Sequence, residues 1–158
     1  MKIEDEIKAT FKTPQQKAVV NVRYTSNCLS NYQNSIMAKF DISMPQFNIL
    51  RILRGAKETL SIHTIKDRMI EKSPNTTRLM DKLIDKGLID RIRCEADRRI
   101  VYVSITQKGL DLLAQIDVNF EKTSLFPKTL TDEEANVLSD LLDKLRSEFQ
   151  KGCSGKLE

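Results

Sequence analysis

Apolar residues recur at helical spacing through most of this chain and at alternate positions in one short stretch, which predicts a mostly helical protein with a small β element. Thr13 to Gln16, "TPQQ", reads as a capping box with Pro14 at the first helical position, and it opens a helix running to about Phe40. Within that helix Val20, Tyr24, Cys28 and Tyr32 form one row, and Val19, Val22, Leu29 and Ile36 a second. Together they make an apolar face too wide for one partner helix to cover. "SMPQ", Ser43 to Gln46, is a second capping box, followed by Phe47, Leu50 and Leu53 and closed by Gly55.

Ile62, Ile65 and Met69 predict a short helix from Ser61 to about Met69, with His63 near its start. Ser73-Pro74 is read as the start of the next, whose stripe is Leu79, Leu83 and Ile84 before Gly87 stops it. Two short helices a few residues apart form a helix-turn-helix pattern. From Leu88 to Thr106 the pattern changes to two strands about a polar turn, with Val101, Val103 and Ile105 alternating on one face. A helix-turn-helix followed by a β-hairpin is a winged helix. The polar, cationic tip of that hairpin then has a physical reason: Arg98 and Arg99 would face a phosphate backbone or a narrow minor groove while the apolar strand anchors them.

After Thr106, which suits an N-cap, a helix carries Leu110, Leu113 and Ile116 toward Phe120. "TDEE", Thr131 to Glu134, is a third capping box and opens a last helix with Leu138, Leu141, Leu142, Leu145 and Phe149. The apolar helices at both ends exceed what a lobe of about 65 residues covers. They predict a homodimer, the alternative being a monomeric bundle folded back on its own chain. The expected layout is one structural domain: an N-terminal tail (1–12), dimerisation helices (13–41 and 107–150), a winged helix-turn-helix lobe (42–106) and a flexible tail (151–158).

Composition narrows the function. The net charge of +4 is ordinary, but its placement is informative: residues 66–108 hold 11 basic and 7 acidic side chains, and the rest of the chain is balanced at 15 of each. A local excess of cations is what a phosphate-neutralising surface needs. The 158 residues contain no apolar run long enough to span a bilayer, and the opening "MKIEDEIKAT" lacks the apolar core of a signal peptide, so a cytoplasmic location and no membrane partner are expected. Three scattered cysteines, one histidine and five glycines offer no disulfide framework, zinc ribbon, metal cluster, catalytic triad or phosphate-binding loop. No enzyme activity, cofactor or metal is therefore expected. A winged helix used for protein contacts is the remaining alternative class.

Two motifs carry a resemblance to a known family. "NTTRLMDKLIDKGLIDR", Asn75 to Arg91, resembles the recognition helix and first strand of MarR-type transcription regulators, and "DRRIVYVSITQKG", Asp97 to Gly109, resembles their wing, with its Asp, one residue, Arg, and a strand ending in a Thr-x-x-Gly step. The resemblance is good over Ser43–Gly109 and extends to the flanking helices in arrangement only. It implies a homodimer on a pseudo-palindromic double-stranded DNA operator near its own gene, usually repressing. In many relatives a small aromatic or anionic effector releases the DNA; in others cysteine oxidation does.

Candidate site residues follow. Ser73, Asn75, Thr76, Thr77 and Arg78 sit where a recognition helix begins, Arg78 being suited to guanine and Ser73, Thr76 and Thr77 to phosphate or thymine methyl groups. Lys82, further along, suits phosphate. In the wing the resemblance implies that Asp97 braces the hairpin by pairing with an arginine; Arg99, two residues on, would form that pair and leave Arg98 for DNA, with the reverse division as the alternative. The resemblance also places an effector pocket between the first two long helices, near Tyr24, Cys28, Phe47 and Arg51. Cys28, flanked by Tyr24 and Tyr32, resembles peroxide-sensing members in residue type, whereas a small hydrophobe in a dimer helix is the plainer reading of a cysteine without an adjacent cation. Cys94 beside the wing is a second redox candidate.

Overall fold

A computed structural model describes residues 1–72, 75–93, 101–123 and 129–154. The chain divides into two compact units, Met1–Thr123 and Ser124–Glu158.

The first unit is built around α3 (Met44–Ala56), which packs against α2 (Pro14–Met37), α4 (Ile62–Arg68), α5 (Thr76–Asp85), α6 (Gln107–Thr123) and strand β3 (Val101–Ile105). Its position follows from its sequence. Phe47, Ile49, Leu50 and Leu53 give it an apolar surface on several sides, and all four are buried. Ser43 caps its start in a full capping box: Gln46 N–H donates to Ser43 Oγ (3.4 Å), and Ser43 N–H donates to Gln46 Oε1 (2.9 Å).

Helix α2 starts at the Thr13 cap, where Gln16 N–H donates to Thr13 Oγ1 (3.1 Å). The reciprocal bond is shifted by one residue, from Lys12 N–H to Gln16 Oε1 (3.0 Å). After α2 a 3₁₀ turn (Ala38–Phe40) leads to Asp41, in the left-handed region at φ 56°. Although the periodicity of α2 promised a wide buried face, only Ile36 and Met37 are buried on it. Val19, Val22, Leu29 and Tyr32 remain exposed.

Residues 1–12, expected to be a tail, contain a short helix α1 (Ile3–Ile7) that leans on α2. Ile3 is buried, Glu4 pairs with Lys17 at 2.5 Å, and the Tyr24 hydroxyl donates to Glu6 Oε2 at 3.1 Å. Five residues cannot hold a helix alone, so these contacts with α2 account for it.

Three antiparallel strands lie in the order β1-β3-β2, with β1 at Leu60–Ser61 and β2 at Ile89–Arg93. Leu60 sits opposite Val103 and Ile89 opposite Ile105, and buried Leu60, Ile89 and Val103 make this face apolar up to Arg91, which also stands opposite Val103. The expected hairpin is therefore present with a third strand added. Its tip, residues 94–100, lies outside the described residues.

In the second unit α7 (Asp132–Ser154) begins at a reciprocal capping box, Glu134 N–H to Thr131 Oγ1 (3.3 Å) and Thr131 N–H to Glu134 Oε2 (2.9 Å). The helix runs through Ser154, beyond the point at which the tail was expected to begin; residues 155–158 lie outside the described residues. Val137, Leu138, Leu141 and Phe149 are exposed on it.

Candidate nucleic-acid interface

Helix α5, expected to be the recognition helix, is held on its inner side and open on its outer side. Thr76, Met80 and Leu83 recur at spacings of four and three and are buried, flanked by half-buried Leu79 and Ile84. The stripe read from sequence thus turns by one position: its centre is Thr76–Met80–Leu83 rather than Leu79, Leu83 and Ile84. On the opposite side Asn75, Thr77, Arg78, Asp81, Lys82 and Asp85 are exposed. Arg78 and Lys82 pair with no described acid, which leaves two cations on the open face.

One expected DNA contact is corrected by this geometry. Thr76 is 1% exposed, and its side chain is turned beneath the helix, where DNA does not reach. Asn75 occupies the N-cap position and, with Thr77 and Arg78, presents the first turn outward. Ser73, and the wing residues Asp97, Arg98, Arg99 and Cys94, lie outside the described residues.

The preceding helix α4 is short because its ends are fixed. Ser61 Oγ accepts from Thr64 N–H (3.1 Å) at the start, and the chain turns extended at buried Met69. His63 is exposed and lies 3.3 Å from Asp67 one turn on. Among the described residues no group of three or more His, Cys, Asp or Glu side chains is arranged to hold a metal.

Several side chains orient α5, and sequence reasoning did not single them out. Buried Gln46, besides closing the α3 capping box, donates from Nε2 to the Leu79 carbonyl (3.5 Å). Arg91 of β2 donates to Asp81 Oδ1 of α5 at 2.7 Å, which ties the wing to the recognition helix and neutralises an acid on its outer face. At the other end α5 closes in a Schellman motif, Gly87 N–H to Ile84 O (2.8 Å) and Leu88 N–H to Leu83 O (2.9 Å), with Gly87 at φ +67°. Only glycine adopts that φ at little cost, which explains Gly87 as the stop. No local spacing announces Gln46–Leu79 or Asp81–Arg91, because each joins different elements.

The four residues of the expected effector pocket sit on the neighbouring helices α2 and α3. Phe47 is fully buried, with the Arg51 guanidinium 5.8 Å from its ring centre. Cys28 is exposed, one turn from Tyr24. Glu6, by accepting the Tyr24 hydroxyl proton in a hydrogen bond, holds that phenol above its ordinary pKa and keeps it directed at α1. A cavity of about 450 Å³ lies elsewhere, between the end of α3, the segment leading to β1 and the first turn of α6, with Leu53, Arg54, Lys57, Ile105 and Leu110 among its walls. Arg54 is also paired with Asp117 of α6 at 2.5 Å.

A short helix, a turn, an open-faced second helix with outward cations and a wing pinned beside it define a winged helix-turn-helix protein of the DNA-binding class. The MarR family model matches residues 42–101, which spans the lobe from α3 into the wing. The chain is 31% identical over 150 residues to YpoP, an uncharacterized HTH-type transcriptional regulator of Bacillus subtilis, covering 92% of this chain and 97% of that one. It is 28% identical over 127 residues to the HTH-type transcriptional repressor IacR of Pseudomonas putida, covering 80% and 72%. Among solved structures, a mutant MarR from E. coli complexed with operator DNA superimposes with a TM-score of 0.65 at 26% identity, covering 78% of this chain and 89% of that one. The chain belongs to the MarR family and is a DNA-binding transcriptional regulator.

Proposed function

We propose that the protein is a homodimeric repressor that places the open face of α5 in the major groove of each half of a pseudo-palindromic operator. The observation that carries this reading is the apolar surface left uncovered on the long helices. Leu141 is 58% exposed and Phe149 59%, on a 23-residue helix that buries no described residue, while α2 leaves a second apolar face open. A helix of that kind gains stability by packing, and a second copy of the same chain supplies a matching surface. The repressor named IacR supports the direction of control, and the E. coli MarR–operator complex supports the placement on DNA.

Asn75, Thr77 and Arg78 read or position on the DNA, Lys82 meets phosphate, and Arg98 and Arg99 extend the contact through the wing, with Asp97 bracing its tip. For the effector, the open hollow at the α3–α6 end has apolar walls from Leu53, Ile105 and Leu110, with Lys57 and Glu58 beside Arg54, whose charge is met by Asp117; that lining suits a small aromatic compound better than an anion. That location is favoured over the Tyr24–Cys28–Phe47–Arg51 group, whose Phe47 is sealed in the core. Sensing through Cys28 is the alternative, with the Tyr24 phenol one turn away interacting with both Glu6 and the thiol.

Sedimentation of the purified protein with and without Leu141→Glu tests the assembly. A dimer that becomes a monomer in the variant, with operator affinity falling at least tenfold while the lobe stays folded, supports the reading. A wild-type monomer, or a Leu141→Glu dimer, overturns it.

A further inference from the structure

The lobe is joined to the flanking helices by two chain crossings, at Asp41–Ile42 and at Thr106–Gln107. The second holds Lys86 to Leu88, where the recognition helix ends, and the first pairs with Lys86. At the second crossing Thr106 Oγ1 donates to the Gly87 carbonyl (2.8 Å), and Thr106 N–H donates to the Leu88 carbonyl (3.1 Å). Lys108 Nζ donates to the Lys86 carbonyl (2.7 Å). The same Thr106 oxygen accepts from Gly109 N–H (3.1 Å), so one hydroxyl both starts α6 and holds the end of α5. At the first crossing Lys86 Nζ pairs with Asp41 Oδ2 at 2.8 Å and also donates to the Asp41 carbonyl.

We propose that Thr106 is a positioning residue for operator recognition: through Gly87 it fixes the angle between the recognition helix and α6, and so transmits the geometry of the dimer to the base-reading end of α5. This rests on the dimeric reading above. The lever is long. About nine residues separate Gly87 from Arg78, or about 13 Å of helix. A tilt of about 10° at the held end therefore displaces Arg78 by about 2 Å, more than a hydrogen bond to a base edge tolerates. The surface ion pair to Asp41 is too weak and screened to hold that angle alone; beside the Thr106 N–H to Leu88 backbone bond, the Thr106 hydroxyl is the side-chain tie that joins the cap of α6 to the end of α5.

Half-site spacing reports this angle directly. One base pair added or removed at the centre of an inverted repeat shifts one half-site by about 3.4 Å and rotates it by about 35°. The duplex is the inverted repeat that the wild-type protein recovers from a random-sequence pool, made at its recovered spacing and at one base pair more and less. Affinities are measured by fluorescence anisotropy at fixed salt for wild type, Thr106→Val, Thr106→Ser and Lys108→Met.

The expected result is that Thr106→Val reduces the preference for the recovered spacing by about fivefold, the worth of one lost hydrogen bond. Its affinity for unrelated duplex stays unchanged. Thr106→Ser, which keeps the hydroxyl, retains the wild-type preference, and Lys108→Met reduces it less. Thr106→Val with the full wild-type preference, whatever its melting temperature, overturns the proposal and leaves Thr106 as a helix cap. If Thr106→Val does not fold, Lys108→Met decides: an unchanged preference overturns it. A wild type indifferent to spacing overturns the dimeric reading and this proposal together, whereas a spacing-sensitive wild type matched by Thr106→Val overturns this proposal alone.

Discussion

The two ends of the recognition helix are built on opposite plans. At its start Asn75, Thr77 and Arg78 are exposed, while Thr76 is buried against the lobe. At its end the Schellman turn closes on the carbonyls of Ile84 and Leu83, and Thr106 and Lys108 engage those of Lys86, Gly87 and Leu88. A helix that must present side chains to another molecule needs one end free of protein contacts, and it keeps a defined direction only if the other end is held. Stability and recognition are therefore concentrated at opposite ends of ten residues, and substitutions at each end should separate the two properties.

The largest effect is expected at the held end, from Gly109→Val. A Cβ at this position would be driven into the Leu88 carbonyl oxygen and would lie 2.8 Å from Ile105 Cγ1. The first is backbone and the second is a side chain packed against the sheet, so α6 must move away from α5. A loss of about 3–4 kcal/mol in urea unfolding is expected. A stability within about 0.5 kcal/mol of wild type would show that the α5–α6 joint is looser than its hydrogen bonds suggest.

Arg78→Ala is the complementary change at the open end. The side chain is exposed and pairs with no described residue, so unfolding should stay within about 0.5 kcal/mol of wild type. Operator affinity should fall by about 1–3 kcal/mol, with discrimination relaxed at a single base pair if the guanidinium reads guanine. A uniform loss across all sequences would place Arg78 on phosphate instead. A loss of stability equal to the loss of binding would remove the contrast between the ends.

Sequence made the local parts of this design visible and concealed the non-local ones. The caps at Thr13, Ser43 and Thr131 could be read because donor and acceptor lie three residues apart; all three side chains accept as that spacing implies, and the box closes reciprocally at Ser43 and Thr131, whereas at Thr13 the return bond comes from Lys12. Gly87 was legible for the same reason. Strand β1 was not, since two residues become a strand only by pairing with β3 much later in the chain. Helix α1 was missed because Lys17 and Tyr24 of α2 hold it rather than its own five residues. On α5, Asn75, Thr77, Arg78 and Lys82 are exposed as a DNA-facing side would need, whereas Thr76 is buried: a threonine in a polar first turn looks solvent-facing until the packing beneath the helix is known. The wing cations were inferred from a polar turn between strands, and both strands are present around it.

The Asp81–Arg91 pair lies between the two plans, and it sharpens the comparison with the smallest effect. Both groups are substantially exposed, with 50% and 36% of their side chains accessible, so the pair should contribute only about 0.2–1 kcal/mol to stability, less at high salt. Its consequence for DNA is of another kind. Asp81 stands one turn beyond Thr77 and Arg78 on the open face, where an unpaired carboxylate repels phosphate, and Arg91 both cancels that charge and draws β2 against α5. Arg91→Gln should therefore weaken operator binding more than Asp81→Asn does, because only the first leaves an uncompensated acid toward the DNA. In the double variant the carboxylate is gone as well, and affinity should recover part of the way. A cycle measured in parallel on urea unfolding and on operator affinity separates these terms. A coupling larger in binding than in unfolding assigns the pair to the reading end of the helix, and a coupling of equal size in both assigns it to the held end.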